Sequence, residues 1–349
     1  MAATRILTDE CIAGIVREVG LDAIMDEVIG CLADSFAEHE PDVVQTIARS
    51  GFRYIKPDLG LIEWMPAMVA GSKVAIKTVG YHPSNPVERN APSVLAATAL
   101  YDTADGRLLA LCDASLLTAI RTGAASAVVT DVLAVDGPIT LGMIGCGAQA
   151  VTQIHAVSRV RPIERVLAYD ADDLVAATLG TRLAGAGLDI PLHIVDGAAR
   201  VVADADVLCT ATSVDPEAGP VFRDGPHRPG VHVNAVGADL PGKFELPREL
   251  LDRSVIVPDH REQCLAEGES QRLDSVAIGP DMCEVVRHRD RFVELRDRPT
   301  VFDSTGWALE DLVAADVALA HAERLGRGLS IDLQPHPRDP YNPYESLRS

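Results

Sequence analysis

Ile139-Thr140-Leu141-Gly142-Met143-Ile144 runs directly into Gly145-Cys146-Gly147-Ala148-Gln149-Ala150. An apolar strand thus opens onto a G-x-G-x-x-A turn and then a helix. Gly145 permits the tight turn, Gly147 lets the backbone approach a pyrophosphate, and Ala150 is small enough for close helix–strand packing. The helix start at Ala148 and Gln149 offers N–H groups and partial positive charge to phosphates. The following strand ends Ala168-Tyr169-Asp170, twenty residues beyond Ala150. An acid there accepts the ribose hydroxyls of NAD and repels the 2′-phosphate of NADP. The G-x-G-x-x-A pattern alone is weak. Strand, glycines, helix, second strand and acid in this order predict a Rossmann unit with NAD as its cofactor.

Downstream the same rhythm continues. Short apolar runs at 165–169, 192–195, 207–212, 232–236, 255–257 and 301–302 alternate with amphipathic stretches at 148–159, 173–184 and 198–205. Such alternation predicts a parallel sheet with helices on both faces, an α/β fold. A last helix is expected at 307–325, followed by an extended tail carrying Pro335, Pro337, Pro340 and Pro343. Upstream, residues 8–38 read as helical. Apolar runs at 61–65, 74–79, 94–101 and 108–111 read as strands, with Asp105-Gly106 as a hairpin turn. An Ala- and Leu-rich helix at 114–133 leads into the Rossmann unit.

The 349 residues suggest two domains. Asp and Glu number 51 against 31 Lys and Arg, a net charge of −20 that disfavours nucleic acid. No apolar run approaches the ~20 residues of a membrane span, and the N-terminus has no signal-peptide pattern. The seven cysteines are widely spaced, with no C-x-x-C pair. Free thiols in a reducing cytoplasm fit better than disulfides or zinc, and no cluster calls for a metal. Only four residues are lysine: Lys56, Lys73, Lys77 and Lys243.

Several residues invite two readings. Arg121, within Thr118-Ala119-Ile120-Arg121-Thr122-Gly123, is either exposed on a polar helix face or aimed at a ligand carboxylate; its small and apolar neighbours favour the second. Glu63, in Leu61-Ile62-Glu63-Trp64-Met65, is either an alternating solvent-facing acid or a functional one. Asp239 follows the strand ending near Val236, at the carboxyl edge of the sheet where α/β folds bind ligands. It is either a proton acceptor or a loop acid paired with Lys243.

Together Ile62–Pro66 with Lys77, Ala119–Ser126, Ile144–Gln149, Asn234–Lys243 and Thr300–Asp311 resemble the ornithine cyclodeaminase/mu-crystallin family over essentially the whole chain. The resemblance implies a Rossmann NAD-binding domain at 129–324. It also implies an α+β substrate-binding and dimerisation domain from both chain ends, 1–128 plus 325–349, and a homodimer. By the same transfer Arg49, Lys77 and Arg121 hold the substrate carboxylate, with Arg53 an alternative to Arg49. Asp239 is the acid/base, Glu63 positions substrate amines, Thr122 lies near the phosphates, and Ser213 and Val236 line the cofactor cleft.

The family contains cyclodeaminases, alanine dehydrogenases and ketimine reductases. The chain looks closest to the lysine cyclodeaminases that form L-pipecolate. Ornithine cyclodeamination and the net dehydrogenases are alternatives. Ornithine enzymes tend to have Asn-Gly-His-Pro where this chain has Gly80-Tyr81-His82-Pro83. The implied reaction takes a small basic amino acid, passes hydride to NAD, lets Asp239 free the ω-amine for attack on Cα, expels ammonia and returns the hydride.

Overall fold

A computed structural model describes residues 3–334, 338–344 and 347. The chain divides into two compact units: Met1–Val19, Glu40–Thr118 and Ala314–Ser349 in one, Gly20–His39 and Ala119–Val313 in the other.

The first unit is built on a mixed sheet. Its strands are β1 (Thr4–Leu7), β2 (Val44–Thr46), β3 (Ser50–Tyr54), β4 (Gly60–Val69), β5 (Lys73–Tyr81), β6 (Val94–Asp102) and β7 (Leu108–Asp113). A short strand from the far end of the chain, Leu329–Ile331, completes it. The order is Leu329–Ile331, β1, β7, β6, β5, β4, β2, with β3 also pairing β4. The turn at Asp105-Gly106 joins β6 to β7, and Gly106 takes φ +76°, which favours glycine. The short strands β1 and Leu329–Ile331 gave no sequence signal, being only four and three residues long.

The second unit holds β8 (Ile139–Ile144), β9 (Ile163–Tyr169), β10 (Leu192–Ile194), β11 (Val207–Thr210), β12 (His232–Ala235), β13 (Val255–Pro258) and β14 (Thr300–Asp303). They form one sheet in the order β10-β9-β8-β11-β12-β14-β13, every adjacent pair parallel. All six residues of β8 are buried, as expected for a strand covered on both faces. One core cluster gathers Ile144, Val201, Leu208, Val233 and Val301; another gathers Leu141, Ile154, Val166, Leu179 and Cys209. The strand order reverses between β8 and β11, which creates the crevice where such folds bind ligands.

The expected helices stand within one or two residues of their places: Ser115–Leu133, Ala148–Val160, Asp173–Gly185, Ala198–Asp204 and Ala308–Arg324. The 8–38 stretch is two helices, Asp9–Val19 and Leu21–Ala37, broken at Gly20 with φ +102°. Leu21–Ala37 belongs with the parallel-sheet unit. Asp22 and Asp26 bind Arg159, and Asp22 bonds to the buried His155, tying this helix to Ala148–Val160. Two of the four divisions, at 118/119 and 313/314, fall inside helices, where no sequence break marks them; the division at 19/20 falls at Gly20.

Ser115–Leu133 corrects one expectation. Its 19 residues are long and apolar enough to cross a bilayer by length and composition, and 78% of that window is buried inside the protein. Its small apolar residues suit either setting, but Thr118, Arg121, Thr122, Ser126 and Thr130 are buried inside the protein, and the arginine would be costly in lipid. Of the tail prolines, Pro335 and Pro337 lie outside the described residues; Pro340 and Pro343 lie in turns.

Candidate active site

The glycine turn has the geometry the motif predicts. Gly145 takes φ +91°, and a Cβ there would stand 2.6 Å from the Ala211 carbonyl oxygen. That oxygen belongs to the segment after β11, so a side chain would push the two sides of the crevice apart. A Cβ on Gly147 would meet nothing within 4 Å, so space is open over the turn. Gly147 caps the Ala148–Val160 helix without any side-chain cap. Ala148 is exposed, Gln149 half-buried and Ala150 fully buried against the sheet core. Asp170 directly follows β9, and its carboxylate accepts the Cys146 N–H at 2.6 Å and the Asp172 N–H at 2.9 Å. The acid is thereby fixed beside the turn. An open glycine turn, an uncapped helix start and a fixed carboxylate match what a dinucleotide needs.

Thr122 and Gly123 lie alongside this helix. A Cβ on Gly123 would come 2.5 Å from the Thr152 carbonyl oxygen, and Gln153 donates to the Thr122 carbonyl at 3.3 Å. Ser213 is exposed in the loop after β11, and Val236 is half-buried just beyond β12, its N–H on the Thr210 carbonyl.

Asp239 sits three residues past Val236 with its side chain 42% exposed, and Lys243 reaches it at 2.9 Å. Lys243 itself is buried at 4%. The pairing the loop-acid reading required therefore exists, on an acid still open to solvent, and the two readings are compatible.

Arg121 is 5% exposed, which removes the reading of a polar helix face. Its Nη1 donates to Glu310 at 2.7 Å and its Nε to Asp311 at 3.0 Å. Gly306, at φ +87°, packs on the guanidinium so closely that a Cβ would lie 2.7 Å from Nη1. Burial pushes the Glu310 carboxyl up to about 8, with Arg121 opposing the shift. Burial also works against the Arg121 cation, but Asp311 and Glu310 outweigh it and hold its pKa above the ordinary value. Glu310 and Asp311 were not singled out in the sequence; in the structure they are the acids of the first turn of Ala308–Arg324.

In the other unit, Glu63 and Lys77 share one sheet face. Met65 is directly opposite Lys77 and Glu63 opposite Val79, so Glu63 and Lys77 are diagonal neighbours. That face carries the buried Leu61, Met65 and Ala67, whereas Ile62 and Trp64 point to the exposed side. The alternation is thus inverted from the solvent-facing reading: the acid is inward and the large apolar residues outward. Lys77 is 1% exposed. Arg49 lies 3.7 Å from Glu63, both side chains largely covered, while Arg53 is exposed on β3.

Among the described residues no group of His, Cys, Asp and Glu could hold a metal ion. All seven cysteines are free thiols. Burial pushes those of Cys112, Cys146, Cys209 and Cys283 up to about 12, which makes them poor nucleophiles.

The ornithine cyclodeaminase/mu-crystallin family model matches residues 11–324. An L-lysine cyclodeaminase of Streptomyces rapamycinicus is 40% identical over 342 residues, covering 98% of this chain and 99% of the relative. A solved lysine cyclodeaminase, described for its recognition of L-lysine, L-ornithine and L-2,4-diaminobutyric acid, superposes with TM-score 0.94 at 41% identity, covering 98% and 99% of the two chains. An archaeal alanine dehydrogenase dimer with bound NAD gives TM-score 0.83 at 31% identity, covering 95% and 99%. With a whole-length match of motif, fold and sequence, the chain belongs to the ornithine cyclodeaminase/mu-crystallin family.

Proposed function

We propose that the protein is a lysine cyclodeaminase, converting L-lysine to L-pipecolate and ammonia. The observation that carries the reading is the full-length 40% identity to an L-lysine cyclodeaminase, in a chain that has Asp239, Lys77 and Arg121 at the positions the family resemblance points to. Gly145, Gly147, Ala148, Gln149, Asp170, Ser213, Val236 and Thr122 are the residues to hold NAD. When bound, NAD supplies a hydride acceptor and then a donor, so the reaction has no net redox change.

The chain's own groups supply the rest. Lys77, Arg121 and Arg49 fix the substrate carboxylate; Arg121 offers a planar, permanently charged fork suited to it. Glu63 positions the substrate amines. Asp239 takes a proton from the ω-ammonium, and the freed amine attacks Cα as ammonia leaves. Folding a tethered amine onto Cα makes the attack unimolecular, an advantage of up to ~7–11 kcal/mol in well-oriented systems. The test is incubation with NAD and either L-lysine or L-ornithine, reading ammonia and the cyclic product by mass. No ammonia from either would end the reading. A stoichiometric change in NADH absorbance would move the protein among the net dehydrogenases.

Ornithine is the second substrate to weigh, because the similar lysine cyclodeaminase is described as recognising both. One methylene in an apolar pocket discriminates by only ~1–3 kcal/mol.

We also propose a cytoplasmic homodimer formed through the open face of the mixed sheet. Phe52, Ile62, Trp64, Leu95 and Leu111 are exposed on that face, and the Phe52 and Trp64 rings meet edge-on at 5.8 Å. An apolar face of this kind is characteristic of an association surface, and the similar archaeal alanine dehydrogenase is a dimer.

A further inference from the structure

The loops that follow β11 and β12 are joined by a side chain that takes no part in the reaction outlined above. Glu245 is wholly buried. Its Oε1 accepts the Thr212 N–H at 2.6 Å, and its Oε2 accepts the Gly237 N–H at 2.9 Å and the Thr210 hydroxyl at 2.7 Å. Thr212 immediately precedes Ser213, and Gly237 stands two residues before Asp239. One carboxylate therefore grips both segments at the carboxyl edge of the sheet.

Gly237 is shaped to this contact: a Cβ there would lie 2.3 Å from Oε1 and 2.6 Å from Oε2. Glu245 is held in turn. Its backbone N–H and that of Leu246 donate to Glu269, another fully buried acid, whose second oxygen binds Arg272 at 2.6 Å. The N–H groups of Glu269 and Ser270 donate at 2.8 Å to the two oxygens of Asp303, the buried last residue of β14. Three carboxylates thus form a relay from β14 to the loops of β11 and β12. Each accepts backbone N–H groups, and the first two links each take in the N–H of the next acid's own residue. Burying one acid is costly without such donors. Three in series are hard to account for as stability alone, because apolar residues of similar volume are often as stabilising as buried charge.

We propose that Glu245 is a positioning residue for the reaction: its carboxylate sets the Thr212–Ser213 and Gly237–Asp239 segments relative to one another, with Glu269 and Asp303 anchoring it to β14. The proposal rests on the reading in which Asp239 is the acid/base and Ser213 lines the cofactor cleft. Every partner of the carboxylate is a donor, so glutamine, with a single acceptor oxygen, leaves at least one segment unheld.

The test measures steady-state turnover of L-lysine at saturating NAD for Glu245→Gln, alongside NADH binding by fluorescence and thermal melting. A displacement of about 1 Å in a catalytic group costs about 100-fold in rate. The expected result is a folded Glu245→Gln protein with kcat down by about that factor and KM for lysine within about 3-fold, since the carboxylate clamp lies on other segments. A folded variant with wild-type kcat overturns the proposal. So does a loss of activity that only tracks the fraction of NADH-binding sites.

Should Glu245→Gln fail to fold, Gly237→Ala presses on the same carboxylate from the other side and must lower kcat in the same way; a folded Gly237→Ala protein with unchanged kcat overturns the proposal equally. Asp239→Asn separates the two levels of argument. If it is fully active, the Asp239 reading fails whatever Glu245 does. If it is inactive while Glu245→Gln is normal, the positioning role alone is lost.

Discussion

Replacing Arg121 by methionine should show how much the buried ion cluster contributes. In the folded protein the guanidinium makes two charged hydrogen bonds, at 2.7 Å to Glu310 and 3.0 Å to Asp311, with all three groups at most 5% exposed. Methionine fills much of the volume but removes both guanidinium hydrogen bonds from the buried acids. Removing one partner of a buried pair costs ~3–5 kcal/mol. For a unit of about 200 residues, ~2–4 °C per kcal/mol converts this to a melting point at least ~6 °C lower.

Glu310 can relieve part of the cost by keeping its proton, since burial already raises it to about 8. Loss of Arg121 pushes it further the same way. The deficit should therefore be smallest near pH 6, where Glu310 is protonated with or without Arg121, and should widen above pH 8, where only the variant is left with a buried acid it must charge or protonate. The assay is thermal melting of wild type, Arg121→Met, Glu310→Gln and the double variant at both pH values. The double variant should recover ~1–3 kcal/mol relative to additivity, the coupling expected of groups in direct contact. An Arg121→Met melting point within 2 °C of wild type at pH 8, or strict additivity, would refute the reasoning.

Three further outcomes follow from separate features. Gly145→Ala combines a φ of +91° with a Cβ 2.6 Å from a backbone oxygen; the ~1–2 kcal/mol of left-handed strain alone, together with the displaced turn, should weaken NADH binding about 10-fold or more, and an unchanged fluorescence titration would contradict it. Glu269 is raised from 4.5 to about 8 and Asp303 to about 6, both by burial. Their stabilising contribution is full below the unfolded values and is lost as pH rises through the folded ones. Their part of the stability should therefore fall between about pH 4.5 and 8, so stability from urea unfolding should change less steeply downward with pH in Glu269→Gln than in wild type; identical slopes would count against it. Trp64→Glu places a charge on the apolar sheet face, and sedimentation should show monomers where wild type gives dimers; a wild-type monomer would remove the proposed interface.

The glycine turn and the Asn234–Lys243 loop were legible because their information is local. A positive-φ turn demands glycine, and a short apolar run bounded by turns declares a buried strand. Asp170 could be placed because the path from turn through helix to the next strand end has nearly fixed length. Glu63 was ambiguous for the opposite reason. Strand alternation shows which residues share a face, but whether that face is inward depends on what covers the sheet. The usual rule, apolar inward, points the wrong way where the outward face is itself apolar.

The sequence by itself determined the order of elements, the parallel sheet, the dinucleotide turn and the family, since each follows from periodicity and backbone demands within some tens of residues. Only the tertiary structure decided what surrounds the charges. Arg121 meets its acids 189 and 190 residues further on, and the partners of Glu245, Glu269 and Asp303 include backbone N–H groups, which nearly every residue carries. A donor so common leaves no mark in the sequence; a buried carboxylate becomes informative only once the fold shows which N–H groups surround it.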